Sequence, residues 1–359
     1  MTRNEQDYIR IPIDRVKTIT SRLLQTHNVR PADADVVAEV LTAADIRGVE
    51  SHGIGRLIPY YLTGLELGHI KAQPEVTTAR EMGSMFVVDA DNGLGHIACH
   101  AAMKKAISLA QTHGIGMGGV RGSNHFGIAG YYAMMALEEN MIGLCLCNST
   151  PLVLPTYSRK PVLGTNPIAF AAPAGKHQPF VLDMATSVVP IGKVEVHRRW
   201  EVKVPPQWGA DHMGRPVDEP QEILDGGGLF PLGGPAETSG YKGYGLAAVV
   251  DILSGVLTGA SFLTGVSRGG AAQRSQVGHF VAALKVDGFI DPEVFAQRMD
   301  DFIDELKDAP LAEGCDRVFV AGEKEFWHTE ESIRDGVPVH KKVWSDITDA
   351  AQKMGIEVS

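Results

Sequence analysis

Residues 114–119, Gly-Ile-Gly-Met-Gly-Gly, satisfy the Gly-x-Gly-x-x-Gly pattern of dinucleotide-binding loops. Their position along the chain restricts the fold more than any other feature. In a dinucleotide-binding βαβ unit the glycines follow a strand and open a helix, so that the helix N-terminus meets the pyrophosphate. Here the order is reversed. Residues 98–113 have helical spacing and end at Gly114, a suitable C′ residue, while the sequence behind the glycines reads as strand or loop. The match therefore reads as a helix stop with a tight turn. A doubly wound dinucleotide fold is disfavoured, and any nicotinamide cofactor has to be held in another way.

The surrounding pattern is mixed α/β. Residues 14–27 carry Val16, Ile19, Leu23 and Leu24 at helical spacing, and a second helix runs from Pro31 through Val37, Val40 and Leu41 towards Gly48. Short apolar runs bounded by Gly, Pro and Asn, at 143–148, 167–173, 179–185 and 279–286, read as buried strands, with another at 317–320. Residues 242–260 return to helical spacing. Residues 291–309 form a helix capped by Asp291 with Pro292 at its first position, and two polar helices finish the chain. No fixed-period repeat is visible. The Pro/Gly-rich stretch at 203–240 is long for a loop in a compact chain, which points to a functional or interface segment.

Of the 359 residues, 44% are hydrophobic and 21% charged, which is globular and neither disordered nor membrane-bundled. Lys and Arg number 33 against 43 Asp and Glu, a net charge of −10, so no long-range field favours nucleic acid. The first sixteen residues lack the apolar segment of a secretion signal, and no run is long enough to span a bilayer. The four cysteines, Cys99, Cys145, Cys147 and Cys315, have no zinc spacing and read as buried thiols of a cytoplasmic protein. No metal-binding motif appears, so no required metal is expected.

Several short segments have the residue types for chemistry. In Ser51-His52-Gly53-Ile54-Gly55-Arg56, His52 and Arg56 are four apart and share a face on a helical turn. Arginine grips a carboxylate while histidine moves a proton near neutrality. A helix end with solvent-facing polar groups is the plainer alternative. Asn124-His125-Phe126-Gly127 precedes the helical segment at 128–140 and offers either free backbone N–H groups to an anion or a simple Asn124 cap. Residues 163–167 (LGTNP) and 183–187 (DMATS) place small polar groups at strand ends, where ligands are commonly met. Asp183 could orient a histidine, and Thr186 or Ser187 could merely cap a helix. Tyr241-Lys242-Gly243-Tyr244-Gly245 opens a helix with a lysine that a phosphate or ribose would explain. Gly322-Glu323-Lys324-Glu325 reads equally as an acidic turn into the next helix.

Taken together, SHGIGRLIPYY, RGSNHFGIAGYYAMMA, GTNPIAFAAP, LDMATS, SGYKGYGLAAVVDILSGVLTGA and VGHF occur in the order and spacing of the malate/L-lactate dehydrogenase family. This non-Rossmann group also holds sulfolactate and ureidoglycolate dehydrogenases and cyclic imino-acid reductases. The resemblance runs from about residue 10 to 345. It implies a largely antiparallel mixed sheet flanked by helices, with 1–120 and 287–359 as a discontinuous helical substrate domain and 121–286 as the NAD(P)-binding domain. It also implies hydride transfer between NAD or NADP and a carbon next to a carboxylate, in a homodimer with each active site near the interface. By the same resemblance His52 is an acid/base residue tuned by Ser51 and Asp183, His125 is its rival, Arg56 holds the substrate carboxylate and Thr165 touches substrate. The cofactor is held by His125, Phe126, Gly127, Ile128, Ala129, Ser149, Asp183, Met184, Ala185, Lys242, Gly322 and Glu323. One departure stands out. Relatives often carry arginine shortly after the Gly-Glu turn, where this chain has Phe326, Trp327 and His328. Arg198 and Arg199 could instead meet a 2′-phosphate, or simply end a solvated helix.

Proton bookkeeping suits this reading: oxidation of a 2-hydroxy acid leaves a proton on oxygen that one neutral histidine accepts, and reduction needs the same group protonated. A hydrolase built on Ser51, His52 and Asp183 is a weaker alternative, because adjacent Ser and His rarely align as nucleophile and base and no G-x-S-x-G elbow is present. A catalytically silent binding protein has no positive support.

Overall fold

The computed structural model describes residues 5–270 and 272–358. The chain opens with a short strand β1 (Tyr8–Ile11) and the antiparallel helix pair α1 (Ile13–Thr26) and α2 (Pro31–Ile46). Val16, Ile19, Leu23 and Leu24 of α1 are buried against Val37 and Leu41 of α2, as the periodicity requires. Two single 3₁₀ turns and a π-helical segment, Leu57–Leu62, lead to the one-turn helix α3 (Thr63–Glu66). β2 (Thr77–Met82) and β3 (Met85–Asp89) form a hairpin. Then α4 (Gly95–His113) packs across the sheet and stops at Gly114, whose φ of +81° is the left-handed value that glycine tolerates.

The helix stop is as expected, but the later glycines of the 114–119 run lie within a strand, β4 (Ile115–Ser123), and not in a turn. A Cβ on Gly116 would sit 2.0 Å from the Ala106 carbonyl oxygen of α4, and one on Gly118 would sit 2.2 Å from the Phe86 ring. These glycines serve close packing of α4 and β3 onto β4. They do not cradle a phosphate.

α5 (Ala129–Met135), β5 (Met141–Cys147), β6 (Ile168–Ala172) and β7 (Phe180–Met184) follow. The Pro/Gly-rich stretch is not a tether. After α6 (Ile191–Arg199) it folds into the paired strands β8 (Gly209–Ala210) and β9 (Gly228–Leu229) and the short α7 (Pro220–Leu224). Val153, Leu163, Val194, Val204, Ile223 and Leu229 give it a small core of its own. α8 (Tyr241–Asp251) passes into a π-helical turn, Ile252–Val256, and β10 (Val277–Lys285) returns through the middle of the sheet. α9 (Pro292–Lys307) begins as expected, with the Asp291 carboxylate accepting from the Glu293 N–H at 2.9 Å. α10 (Glu323–Asp335), β11 (Val337–His340) and α11 (Lys341–Lys353) complete the chain, and β11 pairs with β1.

The main sheet has the order β2-β3-β4-β10-β5-β6-β7, with β3–β4 the only parallel pair, so the fold is a largely antiparallel mixed sheet flanked by helices. α4 and α5 cover one face, and their alanines (Ala102, Ala106, Ala133, Ala136) allow close approach. Residues 317–320 do not form the expected strand. The chain touches the β7 edge once, where the Val181 N–H donates to the Ala321 carbonyl, and Gly322 (φ +92°) then turns it into α10 before a ladder can extend.

Candidate active site

The Ser51–Arg56 segment is not one helical turn. Two 3₁₀ turns, Glu50–His52 and Ile54–Arg56, are separated by an extended Gly53. The cause is Asp45 at the end of α2. Its carboxylate accepts the Ile54 N–H at 2.7 Å and lies so close that a Cβ on Gly53 would come within 2.1 Å of it. The Ser51 hydroxyl lies 2.8 Å from His52 Nδ1, and Arg56 Nε donates back to the Ser51 carbonyl. Histidine and arginine are therefore neighbours, through this folded-back geometry and not through an α-helical face.

Asn124 does not cap α5. It is fully buried, and its amide donates to the Asn92 and Gly93 carbonyls, which fixes the loop carrying His125. The helix starts later, at Ala129. The rings of His52 and His125 stack with centroids 5.3 Å apart, so the two candidate acid/base residues occupy one place. His125 Nδ1 accepts the Gly127 N–H at 3.3 Å and also meets the Tyr61 hydroxyl. The side chains of Phe126 and Ile128 point into the core, with Phe126 stacked between His279 and Tyr132, so only backbone is left to face a ligand from these positions. Ala129 is likewise buried at the start of α5.

The same loop leads directly to the second arm of the site. Asp183, at the end of β7, accepts the Gly130 N–H at 2.7 Å. That bond explains why Asp183 does not orient His52: among the described residues no hydrogen bond joins them, and the Ser51–His52–Asp183 relay is not formed. Asp183 is exposed at the end of β7. Met184 and Ala185 continue along the same rim. Ser149 and Thr165 lie side by side, hydroxyls 3.3 Å apart, with the Thr165 N–H donating to Ser149 Oγ at 3.0 Å.

Lys242 is exposed at the start of α8. Gly322 is buried against β7, where a Cβ would sit 2.9 Å from that of Val181. The Glu323 carboxylate is engaged, accepting from Lys307 Nζ at 2.8 Å and from the Val320 N–H, so its side chain behaves as the acidic-turn reading expects. Arg198 and Arg199 end the exposed face of α6.

Electrostatics favour neutral imidazoles. Burial, and then the Arg56 charge, push the His52 pKa down to about 4. His125 is held well below its usual value by burial, by Arg56 and then by neighbouring histidines. Asp183 moves the other way, up to about 6, because crowding penalises its charge more than the Gly130 N–H and Arg47 favour it.

Several residues that build this site have roles that the sequence did not assign. Tyr61 is fully buried between His125 and His96, on a π-helical turn of the kind often found at functional positions. Asn166 ties the strand ends together, accepting the Ser149 N–H and donating to the Ala247 carbonyl of α8. Thr186 does not cap a helix; its hydroxyl donates to the Thr165 and Asn166 carbonyls. The only signal for these was their place inside the quoted segments, Tyr61 in SHGIGRLIPYY, Asn166 in GTNP and Thr186 in DMATS.

The profile of the family described as malate/L-lactate dehydrogenase matches residues 11–348. The malate dehydrogenase of Pyrococcus horikoshii is 42% identical over 98% of both chains, and its solved structure superposes with a TM-score of 0.90 over 99% of both at 40% identity. The L-sulfolactate dehydrogenase of Methanocaldococcus jannaschii is 34% identical over 95% of this chain and 96% of its own. A Delta(1)-pyrroline-2-carboxylate/Delta(1)-piperideine-2-carboxylate reductase of Pseudomonas putida is 31% identical over 92% and 94%. With a shared fold, matching length and the segments above in register, the chain belongs to the malate/L-lactate dehydrogenase family of NAD(P)-dependent oxidoreductases.

Proposed function

We propose that the cleft between His52 and Asp183 binds a nicotinamide dinucleotide and a 2-hydroxy or 2-oxo carboxylic acid, and that His52 moves the proton. The observation that carries this reading is the stack of His52 on His125 with Arg56 folded against the same turn. The bound nicotinamide accepts or supplies the hydride. The donor set suits such a group: Asp183 offers carboxylate oxygens to ribose hydroxyls, Lys242 a charge to phosphate, and the Ser149–Thr165 pair hydroxyls. The backbone from His125 to Ala129 and the rim of Met184, Ala185, Gly322 and Glu323 line the remainder.

Tautomers support a division of labour. A backbone N–H only donates, so the Gly127 N–H makes His125 Nδ1 an acceptor and leaves the proton of neutral His125 on Nε2. His125 is then a hydrogen-bond donor to the substrate oxygen. The Ser51 hydroxyl can accept from His52 Nδ1, which frees His52 Nε2 as the base. In oxidation the O–H proton of the substrate would pass to His52 Nε2 while His125 Nε2–H holds the substrate oxygen. In reduction the proton returns from His52. Arg56 pairs with the substrate carboxylate and Thr165 contacts the acid beside it. That no hydrogen bond joins Asp183 to His52 among the described residues argues against hydrolysis. A cyclic imine would use the same residues, with His52 protonating nitrogen, and the Pseudomonas putida relative favours including it among substrates.

The partner is a second copy of this chain. Tyr241, Val249, Ile252 and Val256 form an exposed apolar stripe along α8 and its π-helical extension, a face that a second copy would cover. Cys99, Cys145 and Cys147 are buried and unbridged, which fits a reducing cytoplasm, and no described helix is long and apolar enough to cross a membrane. The test is oxidation of NADH or NADPH, followed by near-ultraviolet absorbance, with pyruvate, oxaloacetate, sulfopyruvate and a cyclic imine. Turnover of one or more is expected. Absence of turnover with all four, together with ester hydrolysis lost in Ser51→Ala, would overturn the proposal.

A further inference from the structure

Arg47 closes α2 with only 8% of its surface exposed. Its guanidinium lies over the Phe326 ring, 4.9 Å from the centroid. Among the described residues it donates no hydrogen bond and closes no ion pair. Asp183 and Glu325 are close enough to favour its charge, yet neither carboxylate bonds to it, and Asp183 is drawn instead to Gly130. The Arg47 nitrogens find no acceptor among the described residues, yet they keep some accessible surface, so an acceptor can reach them from outside.

The surroundings fix where that acceptor comes from. Phe326 covers a face of the guanidinium, so its N–H edges are what remain for a ligand, and such an edge matches a group presenting two oxygens. The main chain behind Arg47 is locked: Gly48 (φ +76°) brings the end of α2 so close to α10 that a Cβ there would lie 2.8 Å from the His328 ring. The charges acting on Arg47 are Glu325, in the first turn of α10, and Asp183, the residues on the side of the site that the proposed function gives to the dinucleotide.

We propose that Arg47 is a cofactor-binding residue that takes a phosphate oxyanion of the dinucleotide, with Phe326 holding its guanidinium flat. This rests on the dinucleotide reading of the cleft. The acceptor is either the pyrophosphate, common to both cofactors, or the 2′-phosphate of NADP(H).

Fluorescence titration of NADH and of NADPH into wild type, Arg47→Met and Arg47→Lys tests this without turnover, with circular dichroism and thermal melting as fold controls. Arg47→Met is expected to weaken binding by about tenfold or more, the usual effect of losing charge-assisted hydrogen bonds. Arg47→Lys keeps the charge but not the planar fork and is expected to recover only part of the loss. Equal losses for NADH and NADPH identify the pyrophosphate, and a loss confined to NADPH identifies the 2′-phosphate. If Arg47→Met fails to fold, Arg47→Lys decides alone. Folded variants that bind both dinucleotides as wild type does would overturn the role of Arg47. A wild-type protein that binds neither would instead overturn the cofactor reading beneath it.

Discussion

The imidazole rings of His52 and His125 lie face to face, 5.3 Å between centroids and 25° between planes, with the Arg56 charge acting on both. Two rings so placed cannot both take up protons beside a guanidinium, and the pair stays neutral well into the acid range. With His52 pushed down to about 4, the base needed for oxidation of a hydroxy acid is already present at pH 5. The kcat/KM of oxidation should stay level from neutrality to about pH 5 and fall only near the lowered pKa. A steady-state profile with its acid limb at about 6.5, the unperturbed value, would exclude His52 as that base.

Arg56→Ala tests the carboxylate clamp. The loss of a charged partner that also sets orientation should lower kcat/KM for a 2-oxo acid about 10²-fold or more. The same variant removes a charge that depresses His52, so any acid limb that remains should move towards neutrality. An unchanged kcat/KM would take Arg56 out of the substrate site.

Acid should unfold this protein through its buried imidazoles. His96 and His279 are fully buried, and burial lowers both to about 3; His52 and His125 are lowered as well. A histidine whose folded pKa lies below its unfolded value contributes stability that is complete above about pH 6.5 and is lost as pH falls towards the folded value. Urea midpoints should therefore decline from pH 6.5 to about 4. Asp183, raised to about 6, opposes this, as do Asp33 and Asp251, both raised by burial. His96→Met, which removes a ring whose two nitrogens have no partner, should flatten the slope by about 1.4 kcal/mol per pH unit. Equal slopes in wild type and variant would show that His96 does not titrate on unfolding.

How much of this was legible depends on range. The glycine run spoke correctly because a helix stop is a local event, and the caps at Pro31 and Asp291 were legible for the same reason. Residues 317–320 misled because an apolar run says nothing about whether a sheet edge is free for more than one bond, and Gly322 ended that contact. That Asp183 bonds the Gly130 N–H and not His52 was invisible, since Gly130 lies 53 residues away in sequence and only the fold brings it to Asp183. Tyr61, His96 and Asn166 escaped notice because each looks like an ordinary core or loop residue until the sheet brings its partner near. The resemblance named the segments without saying which bond each would make.

Tyr61 gives the sharpest remaining test, because its hydroxyl reaches His125 Nδ1 while the rest of the side chain is packed in the core. Tyr61→Phe keeps the ring and its contacts with His96 and removes one of two groups that meet that nitrogen. Stability should change by only about 1 kcal/mol, the net worth of one hydrogen bond. If His125 presents Nε2–H to the substrate oxygen, loosening its other nitrogen should lower kcat by about tenfold while leaving KM for the 2-oxo acid nearly constant, since the bond matters most as charge develops on that oxygen. Nitrogen NMR of the His125 ring separates this from a merely structural effect. The Gly127 N–H alone should still hold the Nε2–H tautomer, but with a shifted Nδ1 resonance. A normal kcat with an unaltered His125 spectrum would mean that the phenol only fills space, and that His125 is oriented by backbone alone.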